Sequence, residues 1–391
     1  MALALVIRLA ALGLDGHSGD MLVISRWAET LAEVGPWGFY AHASSIYPAL
    51  LYLYWPMGVL FDGEALELAI KASSIPFDLA LGALLFMLVR GLAGPWRGLA
   101  AAALYLLNPG VLITGPMWGQ IDAAGTLLFV AVLAALARPR YALAAALAVL
   151  AGLVKPQFGL VFVPVAVLLI RDWRADGRRE PMLRVAASAL GAYLAVTLPL
   201  LLDPIRLVNG VFANAGMKPF VSVSATNPWA LLIGYRVPDD GYALVGAALL
   251  LAGLVAALLL LRGRRDLWTM LAVGTLIIFA FYFLPTRVHE RYLFPAMALT
   301  APFAATSRRS LAAYVATSVA FAASLIASLA TSMPQSFGRL PFADALLTPA
   351  GLWAMGLTLA LAALAQVWLI LRRRTSGGAS VNLRKCSPTD P

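Results

Sequence analysis

Apolar runs long enough to approach a membrane crossing alternate with short polar breaks along nearly the whole chain. Twelve are read as spans, at about 1–14, 69–90, 98–115, 121–137, 141–154, 157–170, 183–201, 242–261, 267–285, 290–306, 310–330 and 350–371. The usual requirement is about 20 apolar residues for a bilayer core. With the N-terminus in the cytoplasm, the basic clusters Arg90/Arg97, Arg138/Arg140, Arg171–Arg184, Arg262–Arg265, Arg308/Arg309 and Arg372–Arg374 all fall on the cytoplasmic side. That is the side to which Lys and Arg are biased. On this reading 19 of the 29 Lys and Arg residues are cytoplasmic, nine are external and Arg8 lies in the first helix. Of the 19 acids, 14 are external or in outer span ends. The parity of the clusters predicts an all-α integral membrane protein of the cytoplasmic membrane with about 12 transmembrane helices. Residues 1–374 form one polytopic domain, and residues 375–391 form a cytoplasmic, disordered tail.

Two connections are long, and both are external. The first, about 15–68, carries an amphipathic stretch (Ser25–Val34), a Gly35-Pro36 break and a Tyr- and Trp-rich stretch, Ile46–Phe61. Counting Ile46–Phe61 as a span would place Arg90 outside, so it is read as an interfacial helix, where Tyr and Trp concentrate. The second long connection runs over about 203–240. The first run is short for a crossing at about 1.5 Å per residue, so either the start lies upstream or the bilayer thins there. The spans flanking Lys155-Pro156-Gln157 are also short.

Composition narrows the classes. Mean hydropathy is +0.84, and 61% of residues are hydrophobic against 12% charged, which excludes a soluble globular protein. The net charge of +10 comes from short loops between apolar runs, so membrane orientation explains it and nucleic acid does not. The single cysteine, Cys386, excludes a disulfide framework and a thiolate metal cage. No cofactor is implied, and no metal-ligand set is read.

Five polar motifs fall on the external side. They are Gly16-His17-Ser18-Gly19-Asp20 with Arg26-Trp27, then Trp118-Gly119-Gln120-Ile121-Asp122, Lys155-Pro156-Gln157, Asn227-Pro228-Trp229, and Arg287-Val288-His289-Glu290-Arg291-Tyr292. Each has a plain structural reading. Asp20 and Asp122 are placed to cap helices, Lys155 to snorkel and Asn227-Pro228 to turn. The last motif resists such a reading, since four ionisable groups in five residues opening an apolar run must face water, pair or bind something. Asp78 lies about nine residues into the second span, and either serves function or bonds a neighbouring helix.

Taken in order, these motifs resemble the GT-C superfamily of membrane glycosyltransferases. The likeness is to bacterial relatives of the mannosyltransferase that adds the second mannose in GPI-anchor synthesis, and extends to the lumenal glucosyltransferases that finish the N-glycan precursor. In those families an acid in the first external loop precedes a Trp by seven residues, as Asp20 precedes Trp27. Their later His-Glu-basic motif is similar to His289-Glu290-Arg291. The ordered set spans Asp20 to Pro295. One departure stands out: relatives carry Asp-Tyr-Pro-Pro where this chain has Ile46-Tyr47-Pro48-Ala49, and His42 and Asp62 are the nearby polar residues that could replace the missing acid.

The resemblance implies an inverting transfer of a hexose, mannose-like, from a polyprenyl-phosphate sugar donor to a lipid or glycan acceptor on the extracytoplasmic face, within membrane lipids. Asp20 is the expected general base. Arg287, His289, Arg291 and Lys155 are expected at the donor phosphate, with Arg287 and Arg291, four apart, sharing one wall of a helix start. Arg26, Trp27, Tyr47, Trp118, Gln120, Asp122, Gln157, Asn227, Trp229 and Glu290 are expected to bind substrate. The rival classes are a lipid-linked-sugar flippase or polymerase and a secondary transporter. The side assignment has a direct test with cysteine substitutions and an impermeant thiol reagent on intact cells. Positions 26 and 235 should label and positions 174 and 264 should not; labelling of Arg174→Cys would invert the topology.

Overall fold

A computed structural model of the chain describes residues 1–177 and 180–376. Residues 377–391 of the expected tail, with Cys386, lie outside the described residues. Each of the twelve apolar runs contains a helix: Ala2–Ala11, Ser74–Ala93, Pro95–Leu106, Asp122–Leu136, Tyr141–Val154, Phe162–Asp176, Glu180–Thr197, Ala243–Leu259, Leu267–Phe283, Phe294–Ala304, Arg308–Ser332 and Pro349–Ser376. Among the described residues there is no β-strand, only a bridge between Phe220 and Pro238. Among the described residues, three helical stretches are long and apolar enough to cross a membrane unaided: Gly63–Ala93, Arg308–Ser332 and Pro349–Arg373. A fourth combines Pro95–Leu106 with Pro109–Met117 across a 49° bend. The remaining apolar helices are shorter.

Local chemistry sets the ends of these helices. Proline, which lacks an N–H and suits the first turn, opens the helices at Pro95, Pro204, Pro228 and Pro349. Asp203, Asp266 and Ser307 accept backbone N–H groups from Ile205, Thr269 and Ser310, as N-caps do. Apolar side chains all round the Leu267–Phe283 and Phe294–Ala304 helices put them in the centre of the core, with Met270, Leu271, Phe294 and Met297 fully buried. A second, smaller core lies under the first long loop. There Met21, Ile24, Ala28 and Leu31, spaced along one helix face, meet Leu50, Leu51 and Tyr54.

The amphipathic stretch is part of a longer helix, Ser18–His42, kinked at Gly35 (φ +69) ahead of Pro36. The aromatic stretch forms Pro48–Leu60, and Gly63–Ala72 leads straight into the next apolar helix. In the second long loop, helix Pro204–Gly216 has no buried residue, and Pro228–Leu232 makes a single turn.

Segments assigned to one side of the membrane touch one another. At one end the Tyr141 hydroxyl donates to Asp172 (2.6 Å), as does Arg265 (2.5 Å). At that end too Arg373 donates to Thr306 (2.8 Å) and lies over Trp268 (3.8 Å). The opposite end of helix Tyr141–Val154 leads into Lys155, and the polar motifs expected outside gather there.

Asp78 is fully buried and held by the bundle. Arg8 Nε donates to one carboxylate oxygen (3.0 Å) and the Tyr105 hydroxyl to the other (2.6 Å). Arg8 also donates to the Ala4 and Leu106 carbonyls. Its partners therefore assign Asp78 to helix–helix bonding. Breaking such a pair leaves an uncompensated charge and costs about 3–5 kcal/mol, whereas replacing both partners with apolar groups is close to neutral. Arg8→Met and Asp78→Leu should each lower resistance to unfolding in detergent by that amount, and the double variant should recover most of it. A double variant as unstable as the singles would show that charge pairing is not what holds Asp78.

Candidate active site

The site starts from a turn. Gly16 and His17 lead into the Ser18–His42 helix, and the cap is His17: its Nδ1 accepts the Asp20 backbone N–H at 3.2 Å. The capping role considered for Asp20 thus falls to its neighbour, and the Asp20 carboxylate is free to turn away from its own helix. The His17 ring stacks on Trp118, with centroids 4.9 Å apart and planes 5° from parallel. With Nδ1 accepting, the neutral ring carries its proton on Nε2.

Trp118 and Gln120 meet Asp20 because the preceding helix is broken. At Asn108 the side-chain oxygen accepts the Gly110 N–H (2.9 Å), and its amide donates to Tyr314 (3.0 Å) and Ser318 (2.8 Å). A π-helical turn, Ile113–Met117, follows. Gly119 then reverses the chain at φ +91, a conformation open to glycine, with Met21 packed where a Cβ would stand. Trp118 Nε1 and Gln120 Nε2 both donate to Asp20 Oδ2, each at 2.8 Å. Asp20 Oδ1 accepts no hydrogen bond among the described residues.

The Gln120 amide carries the network onward. Lys155 Nζ donates to Gln120 Oε1 (2.7 Å) and to Asp122 Oδ2 (3.0 Å). Turning that amide over would set its carbonyl against a carboxylate and its NH2 against an ammonium, so charge fixes its orientation. Asp122 makes no capping bond to its helix. Lys155 is buried at the site, and does not snorkel to an interface. Trp118–Asp122 and Lys155, more than 30 residues apart in the chain, therefore meet in one wall.

The opposite wall is Arg291. Its guanidinium lies 5.8 Å from the Trp118 ring centroid, 3.2 Å from Glu290 Oε1 and 4.0 Å from Asp20 Oδ2. Arg291 Nε and Glu290 Oε2 are buried and have no hydrogen-bond partner among the described residues, as is also true of Arg8 Nη2, Ser25 Oγ, Tyr282 Oη and Gln366 Oε1. Buried polar atoms are normally paired. His289 lies 3.9 Å from Glu290, beyond hydrogen-bond range. Burial, reinforced by Arg291 and Lys218, holds the His289 pKa well below the usual imidazole value. It therefore offers a neutral N–H or lone pair, not a cation.

Burial alone would raise the Asp20 pKa, but Arg291, His17, the Trp118 hydrogen bond and Lys155 outweigh it and bring it down to about 2. A carboxyl depressed in this way is ionised throughout the physiological range. Its contribution to stability is complete above its ordinary value of 3.8 and is lost as the pH falls through about 2. Tyr47 lies in the same electrostatic field. Burial, with Asp122 and Asp20 nearby, raises its phenol pKa against the pull of Arg291. Trp27 meets Tyr47 edge-on at 6.0 Å.

Other expected residues lie elsewhere. The helix does not begin at Arg287: its first turn is the 3-10 segment Glu290–Leu293, so Arg287 and Arg291 share no helix face and the one-wall expectation fails. Arg287 has φ +66, an unfavourable conformation for a side-chain-bearing residue, and is clamped by Asp239 through Nε (2.7 Å) and the second guanidinium nitrogen (3.2 Å). Thr286 donates to the same carboxylate (2.9 Å). Asn227 caps Pro228–Leu232 and donates to the Tyr282 carbonyl (3.2 Å), while Trp229 donates to that of Leu284 (2.9 Å). These two pin the second long loop to the Leu267–Phe283 helix. Arg26 is exposed and Gln157 half-buried, neither with a side-chain hydrogen bond. His42 is exposed and bonds the Gly38 carbonyl, and Asp62 is exposed, so neither takes the place of the acid missing at Ile46. Sequence reasoning missed Asp239 as a clamp and His17 as a cap. Asp239-Asp240 stood as an acidic pair in the second loop, the available signal for an arginine partner.

The chain matches no family model and no curated protein. It is similar in structure to ArnT from Cupriavidus metallidurans bound to undecaprenyl phosphate, with 18% identity, a TM-score of 0.50, and coverage of 96% of this chain and 77% of that one. ArnT from the same organism in the apo state aligns over the same shares at 18% identity, with a TM-score of 0.47. The chain shares the all-helical fold of the first of these ArnT structures.

The Arg287 clamp has a measurable consequence. Arg287→Ala removes charged hydrogen bonds from buried Asp239, each worth roughly 1.5–3 kcal/mol. The expected result is lower thermal stability and faster proteolysis of the 203–240 loop. Normal stability would show that the Asp239 clamp does not hold the loop.

Proposed function

We propose that the chain is a GT-C-type glycosyltransferase that moves a hexose, mannose-like, from a polyprenyl-phosphate donor to a lipid or glycan acceptor on the extracytoplasmic face. The observation that carries this reading is the pairing of one free carboxylate oxygen, Asp20 Oδ1, with a wall of buried cations holding an unpartnered donor, Arg291 Nε. A base and an anion cradle a few ångströms apart suit displacement at a carbon bearing a phosphate leaving group. The structural likeness to ArnT bound to undecaprenyl phosphate supports the same donor class, and the motif order from Asp20 to Arg291 supports the sugar transfer.

In this reaction the acceptor hydroxyl gives its proton to Asp20 as its oxygen attacks the anomeric carbon. The bond from that carbon to the phosphate oxygen breaks, and polyprenyl phosphate leaves with the electron pair. Attack opposite the leaving group inverts the anomeric centre. Arg291, with Lys155 behind Gln120, stabilises charge gathering on the phosphate, and His289 adds a neutral N–H. Trp27 and Tyr47 would stack on an apolar sugar face, and Glu290 would accept a hydrogen bond from a sugar hydroxyl.

The depressed Asp20 pKa fits this sequence of events. A carboxylate near 2 is a weak base, but its depression comes chiefly from Arg291 among the surrounding charges. A donor phosphate on Arg291 neutralises that charge, so Asp20 regains basicity when substrate is in place.

Purified protein with a panel of polyprenyl-phosphate hexoses tests the reading. Asp20→Asn should cut turnover by about 10²–10⁴-fold, the usual weight of positioned acid–base catalysis, with the fold intact because His17 supplies the cap. Because kcat/KM reports the free enzyme, its acid limb should lie below about pH 3 in the wild type. Arg291→Gln should move the limb up toward the ordinary carboxylate range, and Arg291→Lys should leave it low. Near-normal turnover in Asp20→Asn removes Asp20 as the base, and transfer from none of the donors rejects the reading.

A further inference from the structure

Lys71 stands in the last turn of helix Gly63–Ala72 and is buried although its side chain ends in a charge. A buried ammonium is tolerated only where hydrogen bonds replace its water. Lys71 Nζ donates to the Leu12 carbonyl (2.7 Å) and to the Leu14 carbonyl. Those carbonyls lie just past the first helix, Ala2–Ala11, where backbone acceptors lack helical partners. Asp15 and Glu67 act on Lys71 electrostatically, but neither forms an ion pair with it among the described residues. The charge is spent on the backbone of residues 12–14.

The stem of Lys71 packs against two glycines. A Cβ on Gly16 would stand 3.4 Å from Lys71 Cδ, and one on Gly119 would stand 3.3 Å from Lys71 Cγ, with Met21 against both. Gly16 opens the turn that delivers His17 and Asp20, and Gly119 makes the turn between Trp118 and Gln120. The His17 N–H donates to the Trp118 carbonyl (3.2 Å) and so joins the two turns directly. From another side the Ser336 hydroxyl donates to Asp15 (2.5 Å). One side chain therefore holds the chain entering the first turn and fills the space shared by both.

We propose that Lys71 is a positioning residue for Asp20: its ammonium fixes Leu12–Leu14, and its stem seats the Gly16 and Gly119 turns against each other. Trp118 Nε1 and Gln120 Nε2 reach Asp20 Oδ2 at 2.8 Å only while those turns keep their spacing. Such bonds weaken steeply with distance and angle, so a small shift at the seat is felt at the carboxylate. Lys71 acts through these groups and touches no reacting atom. The consequence for sugar transfer rests on the reading of Asp20 as the base; the positioning of Asp20 does not.

The indole N–H magnetic resonance signal of Trp118, in the isotope-labelled full chain in detergent, reads the bond to Asp20 without any turnover. It is the signal lost in Trp118→Phe, and Asp20→Asn gives the direction in which it moves when the acceptor weakens. Lys71→Met keeps the stem and removes the ammonium, and should move the Trp118 signal in that direction with the other indole signals in place. Gly16→Ala keeps the ammonium but sets a methyl 3.0 Å from Met21 Cγ and 3.4 Å from Lys71 Cδ. It should move the signal the same way, and decides the matter if Lys71→Met does not fold. An unmoved signal in folded Lys71→Met, or in Gly16→Ala where the former does not fold, overturns the proposal. So does a wild-type signal that ignores Asp20→Asn. In the transfer assay Lys71→Met should lower kcat by about 10²-fold, the cost of an ångström-scale misplacement, with the donor KM little changed. A moved signal with full turnover would uphold the positioning and remove Asp20 as the base.

Discussion

A charge buried in an apolar bundle is stable only beside an opposite charge with hydrogen bonds to complete it, and this constraint organises the molecule. Arg8 and Asp78 bind the first helix to the second span. Lys155 and Asp122 join the start of the Asp122–Leu136 helix to the end of Tyr141–Val154. Arg287 and Asp239 lock the second long loop to the approach of Phe294–Ala304. Each pair connects segments distant in the chain, so the few charges act as cross-ties between helices whose apolar faces alone would permit several registers.

At the candidate site the same rule is obeyed incompletely. Arg291 stands between Glu290 and Asp20 and satisfies both weakly, at 3.2 and 4.0 Å. Its Nε and the second Glu290 oxygen remain open. Arg8 Nη2, in the close Arg8–Asp78 pair, likewise lacks a hydrogen-bond partner among the described residues. Gln120, neutral and bifunctional, transmits polarity from Lys155 to Asp20, so Asp20 senses a cation it does not touch.

Much of the site was legible because polar residues in an apolar chain stand out and cluster by side. Asp20, Trp118, Gln120, Asp122, Lys155, Glu290 and Arg291 were all singled out from their motifs, and they meet. Arg287, Asn227 and Trp229 belonged to motifs of the same kind but serve as clamps. Nothing in their spacing tells a phosphate-facing arginine from one facing Asp239, because the partner lies 48 residues away. Arg287 precedes the helix and has a left-handed φ of +66, so helical periodicity does not apply to it. The break at Asn108 was signalled by Asn108-Pro109-Gly110, yet its effect, swinging Trp118 under Asp20, is a matter of three dimensions.

By itself the sequence determined the all-helical class, the positions of twelve apolar helices, the division of charge between two ends and the short list of residues able to do chemistry. These follow from hydrophobicity and from the energy of placing charge near a bilayer, properties summed along the chain. Only the tertiary structure decided which acid meets which base. Pairing depends on where helix ends fall, on a turn at Gly119 and on a kink at Gly35. A displacement of one or two ångströms there separates a 2.8 Å hydrogen bond from none. His17 in place of Asp20 as the cap is the clearest case. Both residues are chemically able to cap the same helix, and packing of the His17 ring on Trp118 decides between them, leaving Asp20 free.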